Sequence, residues 1–443
     1  MISPLLLSLL LSGSPLGASS SPSSSSNPTN TTVEHYQKQK QCINNSPGPL
    51  LSHLFQRTCP LLVDDETSIL TGVWAPWSIP PTCFLSKPIK RKKSPQNKTP
   101  LPPRRKLCTF TIHSHWAGGG LSILTTPQHA ANLASIILDP GVPYLESLRG
   151  SPFRPAFFPP SRKPFEIRHV EGKGLGVFAT VPIKRDTVLM VNTPVLLQLM
   201  DGAREWEVKD VFKLLHRAGN QLPKKEQVEM LQCAKKGTDR RNYIVNDIME
   251  TNTFDVSVDG VSHSGLYPEI ARINHACKPN CFTRYSPNTL LMEVVAYKDI
   301  APGEELSLSY APLNILSKDR KELLKFWGFE CTCALCRDAE ATKVSDRQRN
   351  RIQRILEQFD NTKNLTVEKM ATLTKEVEDL VLKEGMAGQI GDLYNIIGHT
   401  YLLMGEKKLA EEYGKLGVEK LRHYAGFDSE RTALGLDFMK RFD

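Results

Sequence analysis

Apolar and polar positions change period several times along this chain. Leu5 to Leu11 is a short apolar run, followed by small residues through Gly17-Ala18-Ser19. It is too short to span a bilayer as a helix and is expected to be a secretory signal over 1–18, although no Lys or Arg precedes it. Residues 19–32 are rich in Ser, Asn, Thr and Pro and are expected to be disordered. Segment 117–138 predicts a glycine turn, a short strand and then a helix, with Thr126 as cap and Pro127 in the first turn. From 165 the period falls to two. Phe165-Glu166-Ile167-Arg168-His169-Val170 alternates, Gly172 to Gly176 turns, and Val177-Phe178-Ala179 resumes a strand. Val188 to Leu199 is a further β-branched stretch. Residues 203–250 turn helical, with Val208, Val211, Phe212 and Leu215 as the predicted apolar face. Strands return at 253–258, 290–297 and 305–310. Beyond about 316, helices dominate to the end of the chain.

The 443 residues suffice for two or three domains. They divide into a Cys- and Pro-rich region over 33–150, a sheet-rich domain over 165–315 with its helical insert, a cysteine-bearing segment over 316–340 and a helical region over 341–443. In the last, Ile397-Gly398-His399-Thr400-Tyr401, Gly405 and Ala410 resemble one tetratricopeptide unit. One such unit cannot bury its own face, so it should pack on the sheet domain or on a degenerate neighbour.

The net charge of +9 is concentrated in Lys87–Lys93 and Arg104-Arg105-Lys106. Such runs read first as solvated basic linker and do not establish nucleic-acid binding. No stretch approaches the length of a transmembrane helix. Cys42, Cys59, Cys83 and Cys108 allow three pairings, and a secreted setting would favour disulfides. Sequons at Asn30, Asn44, Asn97 and Asn364 fit a glycoprotein. The expected location is therefore the secretory pathway, with cytoplasm or nucleus as the alternative. Cys233 stands alone and reads as a small core residue.

The chemistry gathers in two places. Arg272-Ile273-Asn274-His275-Ala276-Cys277-Lys278-Pro279-Asn280-Cys281 is dense in polar and thiol groups, and Cys331-Thr332-Cys333-Ala334-Leu335-Cys336 supplies three thiolates. A tetrahedral zinc site needs a fourth ligand. Cys277 is the better donor and Cys281 its rival.

These residues resemble a known family. Asn274-His275-x-Cys277-x-Pro279-Asn280, Gly303-Glu304-Glu305-Leu306 with Tyr310, and the cysteine tail are similar to the signatures of SET-domain lysine methyltransferases. Gly172-x-Gly174-x-Gly176 resembles the family's opening motif. Gly265-Leu266-Tyr267-Pro268 and Asn252-Thr253-Phe254 resemble the SET-and-MYND branch, although the insert holds only Cys233 and so no MYND finger. Trp74 to Cys83 and 117–132 resemble the leaders of fungal SET proteins that begin with signal peptides.

The resemblance implies a mixed α/β fold: a β-rich SET domain with a helical insert, a zinc-binding post-SET segment and a TPR-like helical tail. It implies methyl transfer from S-adenosylmethionine to a lysine amine of a protein or peptide. Tyr310 would be catalytic. Lys173, Gly174, Asn252, Asn274, His275, Tyr310 and Phe329 would hold the cofactor, with Phe329 stacking on its adenine. Cys277, Cys331, Cys333 and Cys336 would hold zinc. Tyr267 and Tyr285 would line a lysine channel or serve the core, and Glu304 and Glu305 would hold a turn or pair with Arg272. A small-molecule amine acceptor, or a scaffold that has lost catalysis, remains open as an alternative.

Overall fold

Strand pairing across the length of the chain sets the architecture. In the computed structural model the described residues are 77–87, 104–117, 119–138, 163–200, 205–236, 243–258, 260–362 and 365–442. The leader, the Ser-rich stretch, Cys42, Cys59, Trp74, the four sequons and most of the Pro-rich linker lie outside the described residues. β1 (Ile79–Leu85), β2 (Lys106–Ile112) and β3 (Leu121–Thr125), one in each of the first three described segments, run antiparallel in succession. Cys83 faces Cys108 across β1 and β2 and is joined to it by a disulfide. Thr126 caps the helix Pro127–Leu138, as its sequence predicts, by accepting from the His129 amide.

These strands do not form a module of their own. The hairpin β4 (Phe165–Val170) and β5 (Gly174–Ala179) comes next, and then β6 (Val188–Asn192) and β7 (Leu196–Leu199). β7 lies parallel to β3. With β8 (Thr253–Val258) and β9 (Val261–Leu266) the result is a six-stranded sheet of order β1-β2-β3-β7-β9-β8. β2 and β3 are buried along their whole length and rich in Leu, Ile, Phe and Thr, as strands covered on both faces should be. β7 covers the second edge of β3.

The insert folds as three helices, Val208–Gln221, Lys224–Leu231 and Ile244–Asn252, which pack on this sheet around Trp206. The buried face of the first helix is Val211, Leu214, Leu215 and Ala218. Val208, expected on that face, is 61% exposed. The stripe is rotated because the sheet lies under the 211–218 side of the helix. Cys233 is buried and its Sγ donates to the Glu229 carbonyl, as a core thiol would. Burial pushes it up to about 11.

The remaining strands are shorter. β10 (Asn274–His275) pairs in parallel with β13 (Ser307–Leu308), and β11 (Cys281–Tyr285) and β12 (Met292–Ala296) join β6 in a three-stranded sheet. The tail carries the helices Ala339–Asp360, Val367–Lys383, Ile390–Leu403, Lys407–Tyr424 and Glu430–Met439 around a separate core that includes Phe359, Met370, Val377 and Ile396. The tail does pack on the sheet region: Phe282 and Val295 meet Ile390 and Tyr424 in one apolar cluster.

A buried ion pair also ties the tail to the motif loop. Arg349 Nε donates to Glu384 Oε2 at 2.9 Å, and both side chains are 0% exposed. The Ser345 hydroxyl donates to the same oxygen, Lys278 reaches the other, and Arg349 also donates to the Ile315 and Cys277 carbonyls. Removing one member of a fully buried pair leaves the other charge uncompensated, which costs about 3–5 kcal/mol. Arg349→Leu should lower unfolding stability by that order, measured by urea denaturation. Arg349→Leu combined with Glu384→Leu should recover part of the loss.

Candidate active site and four-thiol cluster

The motif loop is held by one side chain. The Asn280 amide nitrogen donates to Glu304 Oε1 and to the Glu305 carbonyl, while its oxygen accepts from the Ser307 amide and hydroxyl. Asn280 is only 4% exposed, so these bonds satisfy a buried group that would otherwise be costly. They fix residues 274–281 against 303–308 and let β10 align with β13.

Behind that crossing lies a cavity of about 1050 Å³. Six of the predicted residues line it: Lys173, Gly174, Asn252, Asn274, Tyr310 and Phe329. Gly174 has φ +79°, a backbone region that favours glycine and turns the chain at the cavity edge. Gly176 serves a different need. A Cβ there would lie 2.9 Å from Glu305 Oε1 and 3.0 Å from Asn274 Nδ2. Only hydrogen at that position lets Asn274 donate to Glu305 (2.8 Å) and to the Leu175 carbonyl (3.1 Å). Both amide hydrogens of Asn274 are used inside the protein, and its oxygen remains for a ligand's donor.

Lys173 Nζ lies 3.1 Å from Glu305 Oε2. The expected pairing of Glu304 or Glu305 with Arg272 does not form. Glu304 faces Asn280 and Lys298, Glu305 faces Asn274 and Lys173, and Arg272 donates to the Gln232 and Glu229 carbonyls. Asn252 borders the cavity, but its amide donates to the Ala234 and Ile248 carbonyls and accepts from the Ala234 amide. Its side chain therefore shapes the wall rather than offering a free donor.

Tyr310 donates from its hydroxyl to the Ile273 carbonyl at 2.8 Å. Burial, with Glu305 adding to it, raises its hydroxyl well above the usual phenol range, so it stays protonated. Its ring lies 5.4 Å from Trp327 and 6.3 Å from Phe329. Trp327 lines the cavity and donates from its indole to the Thr251 carbonyl, and Phe254 closes the same wall. Trp327 belongs to none of the motifs, and its place on the cavity depends on Thr251, 76 residues away in sequence. Tyr267 is fully buried and donates to the Leu290 carbonyl, so it belongs to the core, whereas Tyr285 lines the cavity.

His275 joins the cavity to the thiols. Its Nδ1 accepts from the Tyr310 amide at 3.0 Å, so the neutral ring carries its proton on Nε2, 3.3 Å from Cys277 Sγ. The sulfurs of Cys277, Cys331, Cys333 and Cys336 all lie within 4.8 Å of one another. Cys277 Sγ is 3.8 Å from Cys331 and 3.5 Å from Cys336. Zinc bonded to sulfur at about 2.3 Å in a tetrahedron places the sulfurs roughly 3.8 Å apart, so the four residues fit that ion. The hydrogen bond from Cys277 pulls Cys331 and Cys333 toward thiolate, the latter to about 5. Cys281, the rival donor, lies outside this group and is buried on β11, where burial pushes its thiol up to about 12.

Residues 174–311 match the SET domain family. Among individual proteins, the chain is 38% identical over 104 residues to N-lysine methyltransferase SMYD2-B of Danio rerio, covering 22% of this chain and 24% of that protein. It is 34% identical over 104 residues to histone-lysine N-methyltransferase SMYD3 of Homo sapiens, with 22% and 24% covered. It is 25% identical over 282 residues to histone-lysine N-methyltransferase set5 of Schizosaccharomyces pombe, covering 60% of this chain and 81% of that one. The chain thus spans about a quarter of the length of the SMYD relatives. The SET match begins at Gly174, contains the Asn280 crossing and Tyr310, and ends before Phe329 and the three clustered cysteines.

Gly176→Ala should separate Asn274 from Glu305. The expected outcome is a folded protein, with circular dichroism close to wild type, in which a ligand of the cavity binds at least about tenfold more weakly by calorimetry. Unchanged affinity would show that the Asn274–Glu305 contact does not shape the cavity.

Proposed function

We propose that this chain transfers a methyl group from S-adenosylmethionine to a lysine amine of a protein. The observation that carries this reading is the convergence on one cavity of Gly174, Asn274 and the Tyr310 hydroxyl, all from the SET match, with Phe329 from the segment that follows it. The family names of the relatives support the same reaction.

The cofactor supplies an electrophilic methyl on a sulfonium. Everything else falls to the protein. A lysine amine has a pKa of about 10.4 in water and must shed its proton before it can attack. The apolar wall of Phe254, Trp327 and Tyr310 disfavours the charged amine and so favours that loss. The Tyr310 oxygen accepts the amine's remaining N–H and orients its lone pair toward the methyl. The Asn274 oxygen takes a donor of the cofactor, Phe329 offers a face to its adenine, and the turn through Lys173 and Gly174 borders its methionine end. His275 contributes its backbone, since its ring is held between Tyr310 and Cys277.

Zinc at Cys277, Cys331, Cys333 and Cys336 has a structural role in this reading. It closes the Phe329 wall and holds His275 in place. The hairpin of Ile390–Leu403 and Lys407–Tyr424, turning at Gly405, is read as a single TPR-like unit that backs the sheet.

Two measurements test this. Tyr310→Phe should bind S-adenosylmethionine by calorimetry within about threefold of wild type and lose at least about 100-fold in turnover on protein lysines. Wild-type protein that binds no cofactor would sink the reading in favour of an inactive scaffold. Cys333→Ser should lower zinc content well below one ion per chain by atomic absorption and lower the melting temperature, and unchanged stoichiometry would count against the site.

A further inference from the structure

We infer that a single water molecule is bound as a structural ligand by His115, Glu226 and Thr193, where it joins the chain ahead of β3 and the β6–β7 connection to the helical insert.

Two buried side chains, away from the cavity, each have one atom without a partner. His115 is 8% exposed and Glu226 is 7% exposed. Among the described residues, His115 Nε2 and Glu226 Oε2 have no hydrogen-bond partner, and so do not bond to each other. The second polar atom of each group is engaged. The Ala117 amide donates to His115 Nδ1 at 3.1 Å, and the Gly120 amide donates to Glu226 Oε1 at 3.2 Å. Polar atoms buried in this way are costly unless something completes their bonding.

Gly119 marks the point on which they converge. A Cβ there would lie 3.4 Å from His115 Nε2, 3.7 Å from Glu226 Oε1 and 3.8 Å from Thr193 Oγ1. Three segments distant in sequence thus turn polar atoms toward one place, and the glycine leaves that place open to them. Gly119 has no positive φ, so backbone conformation does not demand glycine here. Gly120 differs. A Cβ on it would meet Pro223 Cδ at 2.4 Å, so it serves the close approach of the helix Lys224–Leu231.

Polarity selects the occupant. Because Nδ1 accepts, the neutral His115 ring carries its proton on Nε2. Burial lowers the ring to about 4, against the pull of Glu226, so it is neutral near pH 7. A metal ion would need the Nε2 lone pair and would meet a hydrogen instead. An anion would face the Glu226 carboxylate. A water suits all three groups: it accepts from Nε2, donates to Glu226 Oε2 and keeps its second hydrogen for Thr193 Oγ1. Three bonds are usual for a buried water. The link bears on the cavity because the insert carries Phe212 and Asn246 to its wall.

Gly119→Ala in the full chain is the test, since a methyl fits the space and displaces the water. It should lower the melting temperature by about 3 °C or more, because two buried groups lose their bonds. A dry site gives the opposite sign, as alanine restricts the unfolded chain at a position it can occupy without strain. An unchanged or raised melting temperature would therefore overturn the inference. A high-resolution crystal structure should show one oxygen within about 3.2 Å of both His115 Nε2 and Glu226 Oε2. Well-defined side chains with no density between them, or an anomalous signal from a metal ion there, would overturn it as well.

Discussion

Four hydrogen bonds from one buried amide hold the centre of this protein together. Asn280 sits where two segments cross, and its oxygen and nitrogen join the 274–281 loop to the 303–308 segment. The two-residue ladder of β10 and β13 is too short to hold that crossing by itself. With it fixed, Tyr310 emerges beside the Ile273 carbonyl, His275 lies between that tyrosine and Cys277, and Glu305 stands opposite Asn274. Cavity wall and thiol cluster are thus two sides of one loop. A change that loosens the crossing would be felt at both, and neither can be tuned alone.

The sequence was most legible where structure is local. The β4–β5 hairpin, the Thr126-Pro127 helix start and the helical insert all followed from spacing and turn chemistry. The cysteine spacing and the Asn274-His275 motif also pointed to residues that do converge. Features that depend on distant partners could not be read. Nothing in β3 announces that it will lie parallel to β7, and nothing local chooses Cys83–Cys108 from three pairings. Val208 has the right period for the buried face, but the sheet beneath decides which side of the helix is covered. Asn252 was expected to contact the cofactor, whereas its amide is taken by the loop at Ala234 and the Ile248 carbonyl. Glu305 was left with a generic turn role because its partners, Lys173 and Asn274, lie far away in sequence and meet it only after Gly176 makes room.

The helical tail acts on the site through few contacts, each with a clear physical role. Arg349 neutralises a fully buried Glu384 and at the same time donates to the Cys277 carbonyl. Tyr424 and Ile390 cover the apolar side of β11 and β12. Arg431, held by Asp392 and the Gly388 carbonyl, forms part of the cavity wall. The tail is therefore both a lid over apolar strands and a source of charge placement, and its helices must be docked before the wall is complete.

The parallel pairing of β3 with β7 bears on how the chain is made. Strands β1 to β3 leave the ribosome first and can pair among themselves, yet one edge of β3 must wait until everything from Thr126 to Val195 has been synthesised. At roughly 5–20 residues per second that is an interval of seconds, long on the scale of hairpin formation. During it a strand destined for full burial presents unpaired backbone to its surroundings. The early half of this sheet is thus the stretch in which a nascent chain is most exposed to aggregation and most dependent on being shielded.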